Sequence, residues 1–424
     1  MQTSSQSWRT YLTCAFVFLS VFVAQGEEAK SMAFQAGAAS ATITPAVGAF
    51  IAGDAKNRHF TGIHDDLYAK AAVFDDGNTA LALVAVDCIG LTGPDIDKIR
   101  TEGARLAGNP RLTAETIIVG STHTHCGPDV VGIWGPEDAV SGRDEAYMQR
   151  LVDTAAAQVK RAAEALRPAH LVYGETTAGE DWVVNDCEPE LLDRALVVFQ
   201  ALDQDNKTIF TLTNFACHPT ILDAVVNDVS ADYLYGFYRG MGALGGEHLF
   251  FQGAIGGWIQ PNKQTRDFET IDVVGKGVAA RALDALKKAT PITEPEIRHA
   301  GKYIDFPVAN PGWKMLSQAG IINRHIDDTA AVRLDWFAIG QAQFATHPGE
   351  TSPQFGLDTK ALMHTQGPKC VLGLTQDALG YILKPSYFDE HTTIPHAEYL
   401  TSMSLGPETG PTLLHALQAI IPAH

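Results

Sequence analysis

Apolar residues recur along the chain with two different periods, and the shorter period predicts β-strands. Two apolar runs, at 67–74 and 79–86, flank the polar tetrad Asp75-Asp76-Gly77-Asn78. The Asp-Gly pair in this tetrad is typical of a hairpin turn, because glycine accepts a positive φ there. The run at 116–119 predicts a further, fully buried strand. More strands are expected at the apolar runs 195–202, 208–215 and 336–346.

The longer period appears in two segments and predicts amphipathic helices. Between 147 and 166, apolar residues recur with helical spacing until Arg167-Pro168 ends the pattern. The same spacing is found between 274 and 289, just before Pro291. Strands and helices therefore follow one another in mixed order, which predicts an α/β fold with mixed β-sheets and flanking helices. Since no linker or repeat divides the chain, residues 27–424 are expected to form a single compact domain.

The first 26 residues have the pattern of a targeting segment. Arg9 precedes the apolar stretch 11–23, and Ala24-Gln25-Gly26 follows with small residues at its first and third positions. This pattern predicts a secretory signal peptide over residues 1–26 and a secreted or periplasmic protein. The apolar stretch is short for a bilayer span, so no stable membrane span is expected after its removal. A retained N-terminal anchor is the alternative.

Composition narrows the possible partners. The chain has 424 residues, 46% of them hydrophobic, and can bury a large core. Its formal net charge of −18 argues against binding nucleic acid or anionic membranes. Six cysteines include Cys14 in the predicted signal peptide, so five remain in the mature chain. Their odd number predicts at least one free thiol or an intermolecular bridge, and export would permit disulfides whose pairing stays open.

The stretch STHTHCGPD, residues 121–129, places His123 and His125 one residue apart after the buried run. In an extended strand, residues two apart project from the same face, so both imidazoles could enter one pocket. The alternative interpretation is a pair of hydrogen-bonded histidines at a sheet edge.

Four further polar residues follow apolar runs and adjoin glycine or proline: His218, His347, Glu350 and Tyr381. The ends of strands are common places for sites in α/β folds. Histidine and glutamate are Zn²⁺ ligands, and catalytic zinc sites leave one position open for water. Taken singly, each residue also fits a polar group that ends a strand. Together they predict one shared zinc site, in which His347 is a ligand or a supporting donor, with a purely structural role as the alternative.

The chain resembles the catalytic domain of the neutral/alkaline (non-lysosomal) ceramidases. STHTHCGP matches the family's THTHSGP, with Cys126 in place of serine. In the same order as in the family, similar segments appear as FIAGDAKNRHFTGIH, TNFACHPT, HPGETSPQFG and LGYILKP. The resemblance covers most of residues 27–424 and implies a catalytic domain of that kind.

The resemblance implies specific roles for six residues. Zn²⁺ would be bound by four side chains: His123, His218, Glu350 and Tyr381. His125 would lie beside the metal-activated water and the substrate carbonyl, and Gly53 would line the substrate pocket. Members of the family hydrolyse the amide bond of N-acylsphingosines. In that chemistry zinc activates water near neutral pH, and an imidazole can pass a proton to the leaving amine.

Three departures from the family pattern bear on the substrate. The family's serine-bearing GDVSPN appears as GWIQPN, with Gln260 in the position of the serine. The family's Asn-Arg pair appears as Asn185-Asp186, so a basic substrate contact is expected to be lost. The additional C-terminal β domain of ceramidases is also expected to be missing. These differences predict a substrate other than ceramide itself.

The first functional hypothesis is a secreted, zinc-dependent amidase that acts on an N-acyl compound. The alternatives are a zinc enzyme acting on an ester, a glycoside or another carbohydrate, and a non-catalytic binding protein that contains a metal. A small-molecule, lipid-like or sugar-like substrate is expected in either enzymatic case. Among neighbouring residues, Cys126 and Cys217 could be soft zinc ligands or pair with each other. Asp87 is predicted to orient a ligand histidine.

Overall fold

A computed structural model describes residues 1–2, 33–138, 140–262 and 265–423. The predicted signal peptide lies, beyond its first two residues, outside the described part. From Ala33 onward the chain forms one compact unit. No helix in the described ranges is both long and apolar enough to cross a bilayer.

Eight α-helices form in the described residues, and the two predicted from sequence are among them. Helix α2 begins after Asp144, whose carboxylate accepts hydrogen bonds from two backbone N–H groups of the first turn. Helix α4 begins earlier than predicted, because Asp267 caps it through the N–H of Thr270. The helices are α1 Gly93–Ala107, α2 Glu145–Glu164, α3 Tyr233–Met241, α4 Phe268–Leu286, α5 Pro311–Gln318, α6 Pro353–Leu362, α7 Ala397–Ser402 and α8 Thr409–Ile420.

The strands of the described residues form two large sheets and three short two-stranded pairs. They are β1 Gln35–Thr42, β2 Gly62–Ile63, β3 Tyr68–Asp75, β4 Ala80–Val86, β5 Ile117–Ser121, β6 Arg167–Thr177, β7 Val183–Asn185, β8 Ala195–Asp203, β9 Thr208–Phe215, β10 Asp228–Val229, β11 Glu247–Gln252, β12 Ile259–Pro261, β13 Thr290–Ile292, β14 Ile297–Pro307, β15 Thr329–Ile339, β16 Ala342–Thr346, β17 Glu350–Thr351, β18 Lys369–Leu372 and β19 Tyr381–Ile382.

The larger sheet has nine strands in the order β11-β9-β8-β6-β1-β3-β4-β5, with β13 paired to β6. The smaller sheet has the order β14-β15-β16-β18. One face of the larger sheet packs against α2 and α4, and the other packs against the smaller sheet. Helices α6 and α8 contact the smaller sheet. The described chain is therefore layered as helices, sheet, sheet and helices, and the predicted α/β fold with mixed sheets is confirmed.

Local patterns explain where the predicted strands begin and end. The hairpin of β3 and β4 forms as expected, because Asp76 accepts from two backbone N–H groups and Gly77 adopts a φ of 92°. The expected single strand at 336–346 is wrong. Gly340, with a φ of 56°, turns the chain there and separates β15 from β16, which pair antiparallel.

The parallel pairs in the two sheets position the candidate site. Strand β5 runs parallel to β4, and β9 runs parallel to β11. Strand β16 is parallel to β18 in the smaller sheet. The chain leaves β5, β9 and β16 shortly before His123, His218 and Glu350, respectively. Both sheets therefore contribute strand ends to one region.

Candidate metal centre

His123 and His125 come together through a turn and not through strand alternation. Strand β5 already ends at Ser121, and His123 has a φ of 73°, outside the extended region. The two imidazole ring centres are nevertheless 4.9 Å apart. The expectation that an extended strand aligns both rings is therefore wrong in its geometry, although both rings do face one place.

Three buried side chains converge beside these rings. One ligand atom from each of His123, His218 and Glu350 lies within 4.8 Å of the others. Oε2 of Glu350 is 2.8 Å from Nε2 of His218 and 3.5 Å from Nε2 of His123. Two imidazoles and a carboxylate at this separation are a group that could hold a metal ion.

Backbone carbonyls orient both histidines toward the centre of the group. Nδ1 of His123 lies 2.5 Å from the carbonyl oxygen of Ile89, and Nδ1 of His218 lies 2.8 Å from that of Ile259. A carbonyl only accepts, so each Nδ1 carries the proton and each neutral ring presents the lone pair of Nε2. These lone pairs and the carboxylate would repel one another unless a cation or a proton lay between them. The donor set therefore fits a bound divalent metal.

The protonation states favour the same interpretation. Burial lowers the pKa of His218 below its usual value, although Glu350 opposes this in part. Burial alone would raise the pKa of Glu350. The neighbouring His123 and His218 lower it by more than burial raises it, so the pKa of Glu350 lies well below its usual value. A neutral imidazole beside a charged carboxylate is the form in which both side chains bind a metal.

Tyr381 lies directly across from Glu350, because β17 and β19 pair in parallel with these two residues in register. The Tyr381 hydroxyl accepts a hydrogen bond of 2.9 Å from Nε1 of Trp258. Burial and the charge of Glu350 raise the pKa of Tyr381 well above its usual value. Both Tyr381 and Glu350 line the same small cavity. The Tyr381 hydroxyl therefore lies beside the carboxylate of Glu350.

His125 occupies the other side of the group and has partners that sequence reasoning missed. Its Nδ1 is 3.3 Å from Oδ1 of Asp223, and its Nε2 is 3.4 Å from Nε2 of His123. Since a carboxylate accepts, Nδ1 donates to Asp223 and Nε2 faces the group. Gly53 packs on the imidazole: with a φ of 114°, it has no room for a Cβ, which would lie 2.7 Å from Nδ1 of His125.

A small cavity of about 60 Å³ opens onto these residues. Gly53, His123, His125, Glu350 and Tyr381 line it on one side. Its remaining walls are largely apolar and include Ile89, Ile133, Trp134, Trp313, Tyr399 and Met403. Ligand pockets commonly measure about 300–1,000 Å³, so this cavity is small by comparison.

Known proteins match this chain in structure and not in sequence. No protein-family model matches the sequence, and no curated protein matches it significantly. The neutral ceramidase from Pseudomonas aeruginosa matches with a TM-score of 0.76 at 18% identity, covering 92% of this chain and 74% of that one. A ceramidase complexed with C2 matches with a TM-score of 0.74 at 16% identity, covering 92% and 76%.

The chain has the neutral ceramidase fold. The resemblance expected from the sequence motifs is thereby confirmed for the architecture, at a sequence identity that marks wide divergence.

Two departures from the ceramidase sequence pattern contact each other within this fold. Strand β12 pairs antiparallel with β7, which brings Gln260 close to Asp186. Nε2 of Gln260 donates to Oδ2 of Asp186. The two positions at which the sequence resemblance predicts a departure therefore hold an amide and a carboxylate that are bonded to each other. These two substitutions form one local unit beside Ile259, whose carbonyl orients His218.

The secondary candidates lie outside the ligand group. The prediction that Asp87 orients a ligand histidine is wrong, because Asp87 instead accepts from Thr122, Tyr238 and the N–H of Tyr68. His347 is buried, and its Nε2 is 3.1 Å from the hydroxyl of Thr359. Within the described residues the five cysteines are all buried and none forms a disulfide: Cys88, Cys126, Cys187, Cys217 and Cys370.

Proposed function

We propose that the chain is a secreted or periplasmic zinc-dependent hydrolase that cleaves the amide bond of an N-acyl compound. The observation that carries the proposal is the convergence of His123, His218 and Glu350, with both Nδ1 atoms held by carbonyls so that both Nε2 atoms face one point. Tyr381 would complete the ligand set. Both structural neighbours are ceramidases, which agrees with hydrolysis of an N-acyl compound.

Each residue around the proposed metal has a separate task. Zn²⁺ in such a site lowers the pKa of water to about 7 and polarises a carbonyl. His125 would accept and deliver the proton through Nε2, because Asp223 holds its Nδ1. Gly53 would leave room for the imidazole and the substrate carbonyl on the same side of the cavity. The apolar walls would exclude bulk water from the reacting group.

The cavity supports a compact acyl group near the metal in preference to a long chain. A volume of about 60 Å³ is small for a substrate with two long hydrocarbon tails. Tyr399, one of the residues that line the cavity, is 47% exposed. We therefore propose an N-acyl amino acid or a similarly compact amide as substrate, and not ceramide itself.

Metal analysis and substrate screening test the proposal together. Purified protein should contain about one zinc per chain, and a chelator should abolish hydrolysis of N-acyl-amino-acid probes. His218→Ala should lose both the metal and the activity. His325→Ala is the matched control, since His325 is a solvent-exposed histidine paired with Asp327. Protein that contains no zinc, and whose activity is indifferent to chelator, would rule the proposal out.

A carbohydrate or ester substrate is the second candidate, and one observation favours it. The amide of Gln260 and the carboxylate of Asp186 are bonded to each other, and would suit hydroxyl groups better than an acyl chain if a substrate reached them. Glycoside and ester probes, tested beside the N-acyl compounds on the same preparation, separate the two candidates. Zinc-loaded protein that turns over none of these probes would instead favour a metal-containing binding protein.

A further inference from the structure

Trp258 stands in an unusual backbone conformation next to the candidate metal centre. It has a φ of 58°, which is uncommon for a bulky residue. Gly257, with a φ of 88°, precedes it, and strand β12 begins immediately after it. Residues with strained backbone dihedrals persist only where surrounding contacts hold them, and they concentrate at functional sites. The contacts of the Trp258 side chain show what this conformation achieves.

The indole of Trp258 constrains the hydroxyl of Tyr381. Indole Nε1 can only donate, so the Tyr381 oxygen must accept along this 2.9 Å hydrogen bond. The proton of the same hydroxyl is donated to the carboxylate of Glu350. The indole is itself held by ring contacts with His396 at 4.3 Å and Tyr399 at 5.7 Å.

The next residue performs a similar task for a different ligand. The carbonyl of Ile259 accepts from both the backbone N–H and Nδ1 of His218, each at 2.8 Å. Trp258 and Ile259 are consecutive residues, and they therefore hold Tyr381 and His218, whose side chains reach the candidate metal centre from different segments of the chain. With the left-handed turn at Trp258, the indole contacts Tyr381 at the start of β19, while the next residue, Ile259, begins β12.

We propose that Trp258 is a positioning residue that holds the phenol oxygen of Tyr381 in place as the fourth metal donor. The inference rests on the proposed metal site and deepens it. In this chain the segment that lacks the motif serine supports the metal through an indole and a carbonyl.

Zinc affinity, measured by competition with a chromogenic chelator, tests the proposal without reference to any substrate. Trp258→Phe keeps an aromatic ring and removes the N–H donor. Loss of a partner that orients a ligand commonly weakens metal binding about 10–100-fold, and we expect at least about a tenfold loss here. In a Tyr381→Phe background the same substitution should cause no further loss, because its target oxygen is already absent.

Trp182→Phe is the matched control, as a partly buried tryptophan that packs on Phe215 and Tyr233 away from Tyr381. It should bind zinc like the unaltered chain. If Trp258→Phe fails to fold, as judged by circular dichroism, Trp258→Met takes its place, since methionine fills irregular space and also lacks a donor.

The outcomes separate the two proposals. Unaltered affinity in Trp258→Phe, or an equal loss with and without Tyr381, overturns the positioning role while the metal site stands. Absence of zinc binding by the unaltered chain overturns the proposed function and the positioning role together.

Discussion

Glu350→Gln should abolish the stabilisation of the folded chain by zinc. The substitution preserves side-chain shape but removes the negative charge that lies between His123 and His218. Its new NH₂ group can donate to either Nε2 lone pair, so the amide would satisfy the two imidazoles without a cation. The variant should therefore fold, and differ mainly in its response to metal.

The size of the effect follows from the length of the folded unit, which spans Ala33–His424. Zinc at about 100 times its dissociation constant stabilises the folded state by about 2.7 kcal/mol. The entropy of unfolding is about 2.1 cal/mol/K per residue, or about 0.8 kcal/mol/K for about 390 residues. The melting temperature should then rise by about 3 °C, and by about 5 °C at 1,000 times the dissociation constant.

Differential scanning calorimetry of chelator-stripped protein, with and without zinc, measures this shift. Glu350→Gln should move by less than about 1 °C on the same scale. His325→Ala should shift like the unaltered chain, because its side chain is 84% exposed and pairs only with nearby Asp327. The reasoning is refuted if zinc leaves the unaltered chain unmoved, or if the glutamine variant responds equally.

Three further predictions concern the surroundings of the centre and the stability of the fold. Asp223→Asn should lower turnover of a good substrate while zinc content, measured by mass spectrometry, stays unchanged, because Asp223 contacts His125, which is not one of the proposed ligands; loss of zinc would contradict this. Gly53→Ala should cost about 1–3 kcal/mol in urea unfolding, since its φ of 114° is strained for alanine and the new Cβ meets His125; a stability equal to that of the unaltered chain would count against the contact. Burial, with a smaller effect of nearby Lys70, lowers the pKa of His248 to about 4. The folded state then binds this proton less readily than the unfolded chain, so stability should fall as the pH drops from about 6.5 towards 4. His248→Gln should flatten that acid limb in unfolding curves recorded at several pH values, and an unchanged limb would exclude this histidine as its source.

The regular spacing of apolar residues was sufficient to predict helices and strands that are buried on one face or on both. Helix α2 and the hairpin of β3 and β4 were predicted because their apolar residues repeat with the period of the element. Strands β6 and β14 were missed because exposed and half-buried residues interrupt their apolar pattern. Their place in the sheets is decided by pairing with β8 and β15, which no local pattern displays.

The residues of the candidate site likewise fall into those with a local sequence signal and those without one. His218 and Glu350 could be predicted because each follows a buried strand, which is a local signal. Asp223 and Trp258 have no such signal: Asp223 lies in a 3₁₀ turn, and its partner is 98 residues away in sequence. The bond from Trp258 to Tyr381 spans 123 residues. Contacts of this kind arise only from tertiary packing, which brings distant segments of the chain together.

The origin of the three converging side chains has a consequence for the order of folding. His123 and His218 follow strands of the nine-stranded sheet, whereas Glu350 follows a strand of the four-stranded one, 132 residues beyond His218. A chain whose two sheets have formed but not docked would lack the group. A cation held by all three residues would therefore slow the separation of the sheets without speeding their formation. Metal release in an unfolding experiment would then report the moment at which the two sheets part.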